Sequence, residues 1–511
     1  MLIKRKLYWL IALAALVRCI IAVSVDLGND EVYYLTYARH LQWNYFDHPP
    51  MVALLIRITT FNLNFTSAFF VRLAPVILSV LNTFLIFSCA QKIRNARTGF
   101  LAALLFTASP YCSIIAGTFI LPDAPQLFFW ICSISLLTGI IQSLPESKQL
   151  NQKLLLFGLV AGLCTMSKVH GIFLWFGFGL YILFYHRKLL TNFYLYAAII
   201  LSAVVVSPIL IWNIQNNFIT YTFHSSRVAI NSGLQVDSFI REITGGILYN
   251  NPISFFLIVF SIIALMKNIN FIRYHIRHLL LSLSLPLILL LFFISLFRDT
   301  LPHWSGPAYI PLILITACYI NFKTETDLLI GKRLQRFSYL AVIFLLIIAF
   351  AGIVLINFIP GSMGKKDIAG LGDGDATLDM YGWQDIQKGF KKVYEMDFKA
   401  GNTSTSFIIN NKWFPGAHID NYIAQPLQLD FIAIGELNDI HTYAWLNEYR
   451  KKLQQGDDAY FITVSNSFSD PVKLYHNIFE KICTPVVISQ LRGGKAARNI
   501  FIYLLKNYKG K

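Results

Sequence analysis

Long apolar runs separated by short polar connections fill the first 358 residues. An apolar stretch of about 17–25 residues is what a helix needs to cross the hydrocarbon layer, where every backbone N–H and C=O must be satisfied inside the segment. Such windows fall at residues 7–25, 68–90, 98–117, 122–142, 153–168, 170–186, 191–212, 246–266, 279–297, 304–321 and 337–358. They predict roughly eleven membrane spans. Two connections are long. In the first, residues 26–67, an apolar stripe of Val32, Leu35, Tyr37, Ala38 and Leu41 beside polar Arg39 and His40 predicts a helix lying in the membrane interface. Pro49-Pro50 then stiffens the exit and holds His48 extended. The other, residues 213–245, is polar and carries Arg227 and Arg241.

After Pro360 the pattern changes. Residues 361–374 are Gly-rich and polar, which predicts a linker or flexible loop. Beyond them, short runs at 406–410, 431–434, 459–464, 485–491 and 499–505 read as β-strands, and Thr442–Gln455 as a helix stopped by Gly456. The expected fold class is therefore a polytopic α-helical membrane protein with a small C-terminal α/β domain. The expected boundaries are 1–358, including the outer loop 26–67, and 359–511. A tail of about 150 residues is large enough for its own core. No internal repeat is evident, which weighs against an inverted-repeat transporter.

Composition agrees with the pattern: 56% of residues are hydrophobic and 14% charged. The net charge of +16 comes largely from basic residues in alternate short connections, at 4–6, 92–97, 148–153, 187–188, 267–277 and 323–336. By the positive-inside rule the N-terminus is cytoplasmic, and an odd number of spans puts the tail outside, as in an inner-membrane protein. The basic first run reads as an uncleaved span, because Arg18 and Cys19 stand where small residues would lead to a cleavage site. Basic connections favour anionic lipid headgroups. No basic and aromatic interleaving suggests nucleic acid. The seven cysteines form no CxxC pair and read as small buried hydrophobes.

Against this apolar background a few polar residues stand out, because ionisable groups beside a bilayer are expensive unless they do chemistry or bind an ion. Asp30-Glu31 close the first span and could supply a base that takes a proton from an acceptor hydroxyl. Asp47-His48 offer an acid and an imidazole on a rigid backbone, able to bind a divalent cation or contact phosphate. Asp123 stands between two prolines; it either caps the following span or forms a third wall of an acidic site. Basic candidates expected on the same face are Arg72, Lys168, His170, Arg298 and His303, which could stabilise a phosphate leaving group. Lys168 interrupts an apolar run, whereas Arg72 could snorkel and Arg298-Asp299 could be a surface ion pair. No phosphate-binding P-loop, dinucleotide fingerprint or HExxH helix is present, which favours a lipid-borne donor over a soluble nucleotide sugar.

The order of these motifs resembles a known family. Asp30-Glu31-Val32-Tyr33-Tyr34, Trp43 to Pro50, Leu121-Pro122-Asp123-Ala124-Pro125, Ser167-Lys168, Pro208 to Asn213, His303-Trp304 and Tyr381-Gly382-Trp383 are similar to bacterial relatives of dolichyl-phosphate-mannose protein mannosyltransferases. These are glycosyltransferases of the GT-C class, among them the aminoarabinose transferases that modify lipid A. The resemblance implies a GT-C transmembrane fold with a periplasmic tail domain and a polyprenyl-phosphate sugar donor. It implies Asp30 as leading base with Glu31 supporting it, and Lys168 and His303 as holders of the donor phosphate. Asp47-His48 stands where the aminoarabinose transferases have Glu-Lys, exchanging a long lysine for an imidazole. The expected activity is transfer of a sugar from that donor to a lipid, glycan or protein acceptor, with inversion. A divalent cation stays open as a cofactor. The alternatives are a flippase for lipid-linked sugars, which would need no base at Asp30, and a non-catalytic assembly subunit.

Overall fold

A computed structural model describes residues 2–143, 148–229, 233–368 and 370–510. Three positions of the long loop 213–245 and one of the Gly-rich stretch 361–374 lie outside the described residues. The chain forms two compact units, Met1–Ala22 with Leu41–Ala349, and Val23–His40 with Phe350–Lys511.

The first unit is helical. Among the described residues, eight helices are long and apolar enough to cross a membrane, beginning with Leu2–Ser24 and ending with Leu328–Asn357. Each apolar window expected from the sequence overlaps a helix, but the eleven spans expected are not matched one for one: the window 68–90 is broken at Arg72, that at 304–321 begins as a 3₁₀ segment, and three others depart further from a straight span. The run expected at 98–117 is the helix Ala96–Ala108 followed by a wide π-type turn at Tyr111–Ile115. Pro110 cannot donate to the preceding turn and ends the helix. The run at 246–266 is not one helix: Val236–Tyr249 and Pro252–Met266 meet at 99°. Asn251 makes that corner. It adopts a left-handed φ of 66°, its side chain accepts from the N–H of Ile253, and its amide donates to the carbonyls of Ala108 and Ala341. The third, 170–186, is a 3₁₀ turn at Val169–Gly171 leading into Ile172–Tyr185.

Burial sorts the helices. The apolar window of Pro302–Thr326 is 89% buried, whereas that of Leu328–Asn357 is 11% buried. The first is the centre of the bundle, and the second turns side chains such as Leu329, Ile347 and Phe350 outward. A polypeptide surface so apolar is matched to lipid rather than water. The interior is one continuous cluster that includes Trp130, Phe157, Phe178 and Leu279.

The second unit is built on a six-stranded sheet: β1 (Phe407–Asn410), β2 (Asp430–Ala433), β3 (Ala459–Val464), β4 (Phe479–Ile482), β5 (Val486–Arg492) and β6 (Lys495–Tyr508). The order is β2-β1-β3-β6, with β4 and β5 sharing the far edge of the long β6. β1, β2 and β3 are parallel; the pairings of β6 are antiparallel. Five strands fall where the alternation and β-branched content predict them. Two expectations fail. Thr442–Gln455 is only a short helix at Tyr443–Leu446 and a 3₁₀ turn at Asn447–Tyr449. Asn447 exchanges hydrogen bonds with the backbone of Ala433, and Arg450 binds Asp420 and the carbonyl of Phe431, so tertiary partners override helical propensity. The Gly-rich stretch is not a free linker. Arg492, fully buried, donates to Asp375 at 2.7 Å and to the carbonyl of Gly361 at 2.8 Å, pinning both ends of it.

Residues 23–40 belong to this second unit, not to the membrane unit where the sequence boundary at 358 had put them. Their helix, Asn29–Arg39, forms as expected, but it is no interfacial helix: every residue from Glu31 to Ala38 is buried. Tyr33 packs its ring 5.0 Å from Trp413, and its hydroxyl accepts from the N–H of Thr442.

Candidate active site

In the membrane unit the Pro110 break and the helix start at Asp123 bring two distant side chains to Lys168. Lys168 sits at the break between the helix Lys148–Ser167 and the turn Val169–Gly171 with extended backbone, so its side chain is aimed by a helix end. Its ammonium lies 2.9 and 2.8 Å from the two oxygens of Asp123, and the Tyr111 hydroxyl donates to the same carboxylate at 3.1 Å. Lys168 and Asp123 are 4% and 2% exposed. A pair this buried persists only with both charges present, because either alone would carry the full desolvation penalty. Asp123 opens its helix, yet it makes no capping bond there; its carboxylate is spent on Lys168 and Tyr111.

Imidazoles surround this pair. Lys168 lies within electrostatic reach of His48, His170, His224 and His303. The rings of His48 and His224 are 6.1 Å apart, that of His170 is 5.8 Å from Trp304, and that of His303 is 6.0 Å from Tyr249. Arg227 places its guanidinium over Trp304 at 5.6 Å and over Phe223 at 5.4 Å. The backbone carbonyl of Asp47 accepts from His224 Nε2 at 2.7 Å. A carbonyl can only accept, so the proton is on Nε2. Burial, with the neighbouring His224, Lys168 and Arg227, pushes His48 well below the usual imidazole range against the opposing pull of Asp123. Burial likewise lowers His224. These two rings are therefore neutral near pH 7. The arrangement amounts to two fixed cations, one carboxylate already paired, and neutral imidazoles of which His224 spends its one N–H on Asp47; the cations make it a set suited to an oxyanion.

The helix Ile219–Val228 that carries His224 and Arg227 is held by the first loop. Asn44 donates to Thr220, Thr220 donates to the carbonyl of Tyr45, and Arg298 donates to the carbonyl of Ser226 at 2.6 Å. Arg298 is thus a tether of this helix, while Asp299 pairs with Arg241 at 3.2 Å. Arg72, fully buried, is engaged elsewhere: it donates to the carbonyl of Ala22 at 2.9 Å and lies over the ring of Phe119 at 5.1 Å. His224, Tyr111 and Tyr249 escaped the sequence reading, and Arg227 counted there only as a loop charge. The one available signal was the pairing of His224 and Arg227 three residues apart in a stretch with no apolar period.

Asp30 and Glu31 lie in the other unit. Glu31 is 2% exposed and its carboxylate accepts the N–H of Gly28 at 2.9 Å, so it caps the helix Asn29–Arg39. Asp30, in the same first turn, is exposed. The segment before it is stitched to the tail: Asp26 accepts the N–H of Trp383, the N–H of Leu27 donates to Tyr422, and Asn29 donates to Asp379. Tyr381-Gly382-Trp383 is one anchor of this stitching. Among the described residues no three His, Cys, Asp or Glu side chains gather as a cation site.

Residues 47–212 match the family model described as dolichyl-phosphate-mannose-protein mannosyltransferase. Lipid A galacturonosyltransferase RgtD of Rhizobium johnstonii is 22% identical over 322 residues, which is 62% of this chain and 65% of RgtD, just under two thirds of that relative. The structure of ArnT from Cupriavidus metallidurans bound to undecaprenyl phosphate superposes with a TM-score of 0.61 at 13% identity, over 98% of each chain. An Archaeoglobus fulgidus oligosaccharyltransferase superposes with a TM-score of 0.50 at 14% identity, over 88% of this chain and 67% of the other. The chain is thus a multi-span membrane protein whose residues 47–212 are similar to the dolichyl-phosphate-mannose-protein mannosyltransferase family and whose fold over almost its whole length is that of ArnT.

Proposed function

We propose that this protein is a membrane glycosyltransferase that moves a sugar from a polyprenyl-phosphate donor to an acceptor hydroxyl. The observation that carries the reading is the Lys168–Asp123 pair ringed by His48, His170, His224, His303 and Arg227. Such a set stabilises the charge that develops when a phosphate leaves. Its likeness to RgtD and to an ArnT structure holding undecaprenyl phosphate supports a lipid-borne donor and a lipid A acceptor.

In this reading Asp30 takes the proton of the acceptor hydroxyl as its oxygen bonds to the anomeric carbon. The bond from that carbon to the phosphate oxygen breaks, and the phosphate keeps the electron pair. Attack opposite the leaving group inverts the anomeric centre. Lys168 and His303 hold the phosphate, helped by Arg227, while Glu31 acts by capping the helix that carries Asp30. The protein lies in a bacterial inner membrane with its tail on the outer side, where a lipid A precursor is reached. Asp30→Asn should abolish transfer from radiolabelled undecaprenyl-phosphate sugars to lipid A while expression is unchanged; turnover near wild type would sink the assignment. Because protein cations meet the phosphate charge, EDTA should leave transfer unchanged, and loss of transfer would place a divalent cation on the donor.

A further inference from the structure

The second unit holds a short chain of polar groups, half-buried at Asp379 and Asn29 and buried at His418, that ends one residue before Asp30. The Asn29 side-chain amide is gripped at both ends. Its Nδ2 donates to Asp379 Oδ2 at 2.8 Å, and its Oδ1 lies 2.9 Å from His418 Nε2. An amide oxygen only accepts, so His418 carries its proton on Nε2 and donates. That leaves His418 Nδ1 as a bare acceptor, buried and without a partner among the described residues. The ring cannot turn over without breaking the bond to Asn29. It is also held flat, stacked on Trp383 at 4.0 Å and 11°, with the Tyr422 ring 5.9 Å away at 13°. Trp383 in turn donates through Nε1 to the Asp379 carbonyl and lies under the Arg498 guanidinium at 4.3 Å.

We infer that Asp379 and His418 act through the Asn29 amide as a positioning bracket that aims Asp30. The inference rests on the reading of Asp30 as the base. Around it the chain is fixed residue by residue: Asp26 to Trp383 and Met380, Leu27 to Tyr422, Gly28 to Glu31, and Asn29 to Asp379 and His418. Asp30 is exposed at the end of this run, with its backbone set by its neighbours. A base displaced by about 1 Å loses on the order of 100-fold in rate, so a bracket of this kind matters to turnover more than to binding. The bracket also titrates. Burial raises Asp379 to about 6; the Asn29 amide and Arg498 oppose this, and Asp375 and Asp30 add to it. Below that pH Asp379 takes a proton and the charge-assisted bond to Asn29 is lost.

The test uses full-length protein in nanodiscs, with transfer from radiolabelled undecaprenyl-phosphate sugars to lipid A and hydrogen exchange of residues 26–34 as two readouts. Asn29→Ala and His418→Leu should lower kcat by about 10–100-fold with donor KM within twofold, and should speed exchange in that peptide but not in residues 96–108. His418→Gln, which keeps an N–H donor, should recover most of kcat. Asp379→Asn keeps an acceptor for Asn29 but cannot ionise, so it should flatten the fall in kcat that wild type shows as pH drops through about 6. Wild-type kcat and wild-type exchange in Asn29→Ala would overturn the bracket. If Asp30→Asn is inactive while Asn29→Ala turns over normally, only the bracket falls; if Asp30→Asn is active, the base assignment itself falls. Should no sugar in the panel be transferred, unchanged exchange in Asn29→Ala still refutes the bracket.

Discussion

Lys168 binds its partner tightly and still faces a ring of donors, and that double duty makes it the most testable residue in the chain. Removing one member of a buried ion pair strands the other charge and typically costs about 3–5 kcal/mol, whereas replacing both with apolar groups is often neutral. Asp123→Asn should therefore lower the thermal unfolding midpoint of the purified protein markedly. The double variant Asp123→Asn/Lys168→Met should regain most of that loss and yet stay inactive in transfer. A double variant as unstable as the single one would mean that the pair is not the structural unit described. The imidazoles give a second prediction. His48, His224 and His418 are held below the usual imidazole pKa, chiefly by burial. The unfolded chain binds the proton first, so their contribution to stability is intact above about pH 6.5 and is lost as pH falls, by up to about 1.4 kcal/mol per pH unit for each ring. Asp379, raised to about 6, runs the other way, and its burial penalty is relieved as pH falls from there toward the ordinary aspartate value of 3.8. Unfolding midpoints measured from pH 7.5 to 5 should fall, and less steeply in His418→Phe.

At the scale of elements, breaks matter more than spans. Pro110 ends one helix and frees Tyr111 to reach Asp123; Asn251 turns another by 99°; the end of Lys148–Ser167 aims Lys168. The tail shows the same principle at Gly382, which opens the helix Trp383–Lys399 with φ +68°. A Cβ there would fall 2.3 Å from the Gln490 amide nitrogen, and the Gly382 carbonyl accepts from that same amide. Gly382→Ala should destabilise the protein by about 1–3 kcal/mol through backbone strain and this clash, read as a drop in unfolding midpoint. An unshifted midpoint would show that the turn can relax. Apolar windows, alternation in the tail strands and the interruption at Lys168 were all legible in the sequence, because each is a local periodicity. The Asn251 corner was not. Asn-Asn-Pro is an ordinary helix start, and only the carbonyls of Ala108 and Ala341, from distant segments, make it a bend. The helix expected over Thr442–Gln455 fails for the same reason.

For the whole molecule, the charge pattern makes a prediction about sidedness. In a cysteine-free background, Glu448→Cys in the tail should react with a membrane-impermeant maleimide added to spheroplasts, and Lys92→Cys in a basic connection should react only after lysis. The reverse pattern would invert the orientation. Sequence by itself determined that this is a membrane protein, roughly where its spans and tail strands lie, and that Asp30, Asp123 and Lys168 are out of keeping with their surroundings. Those properties follow from the polarity of neighbouring residues and need no knowledge of where the chain goes next. Tertiary structure alone decided that Asp123 and Lys168, 45 residues apart, form one buried pair; that Glu31 is a cap; and that Asn29 is gripped by His418, 389 residues away. Side chains meet where helices cross and strands return, and hydrophobic period says which face of an element is buried without saying which other element will cover it.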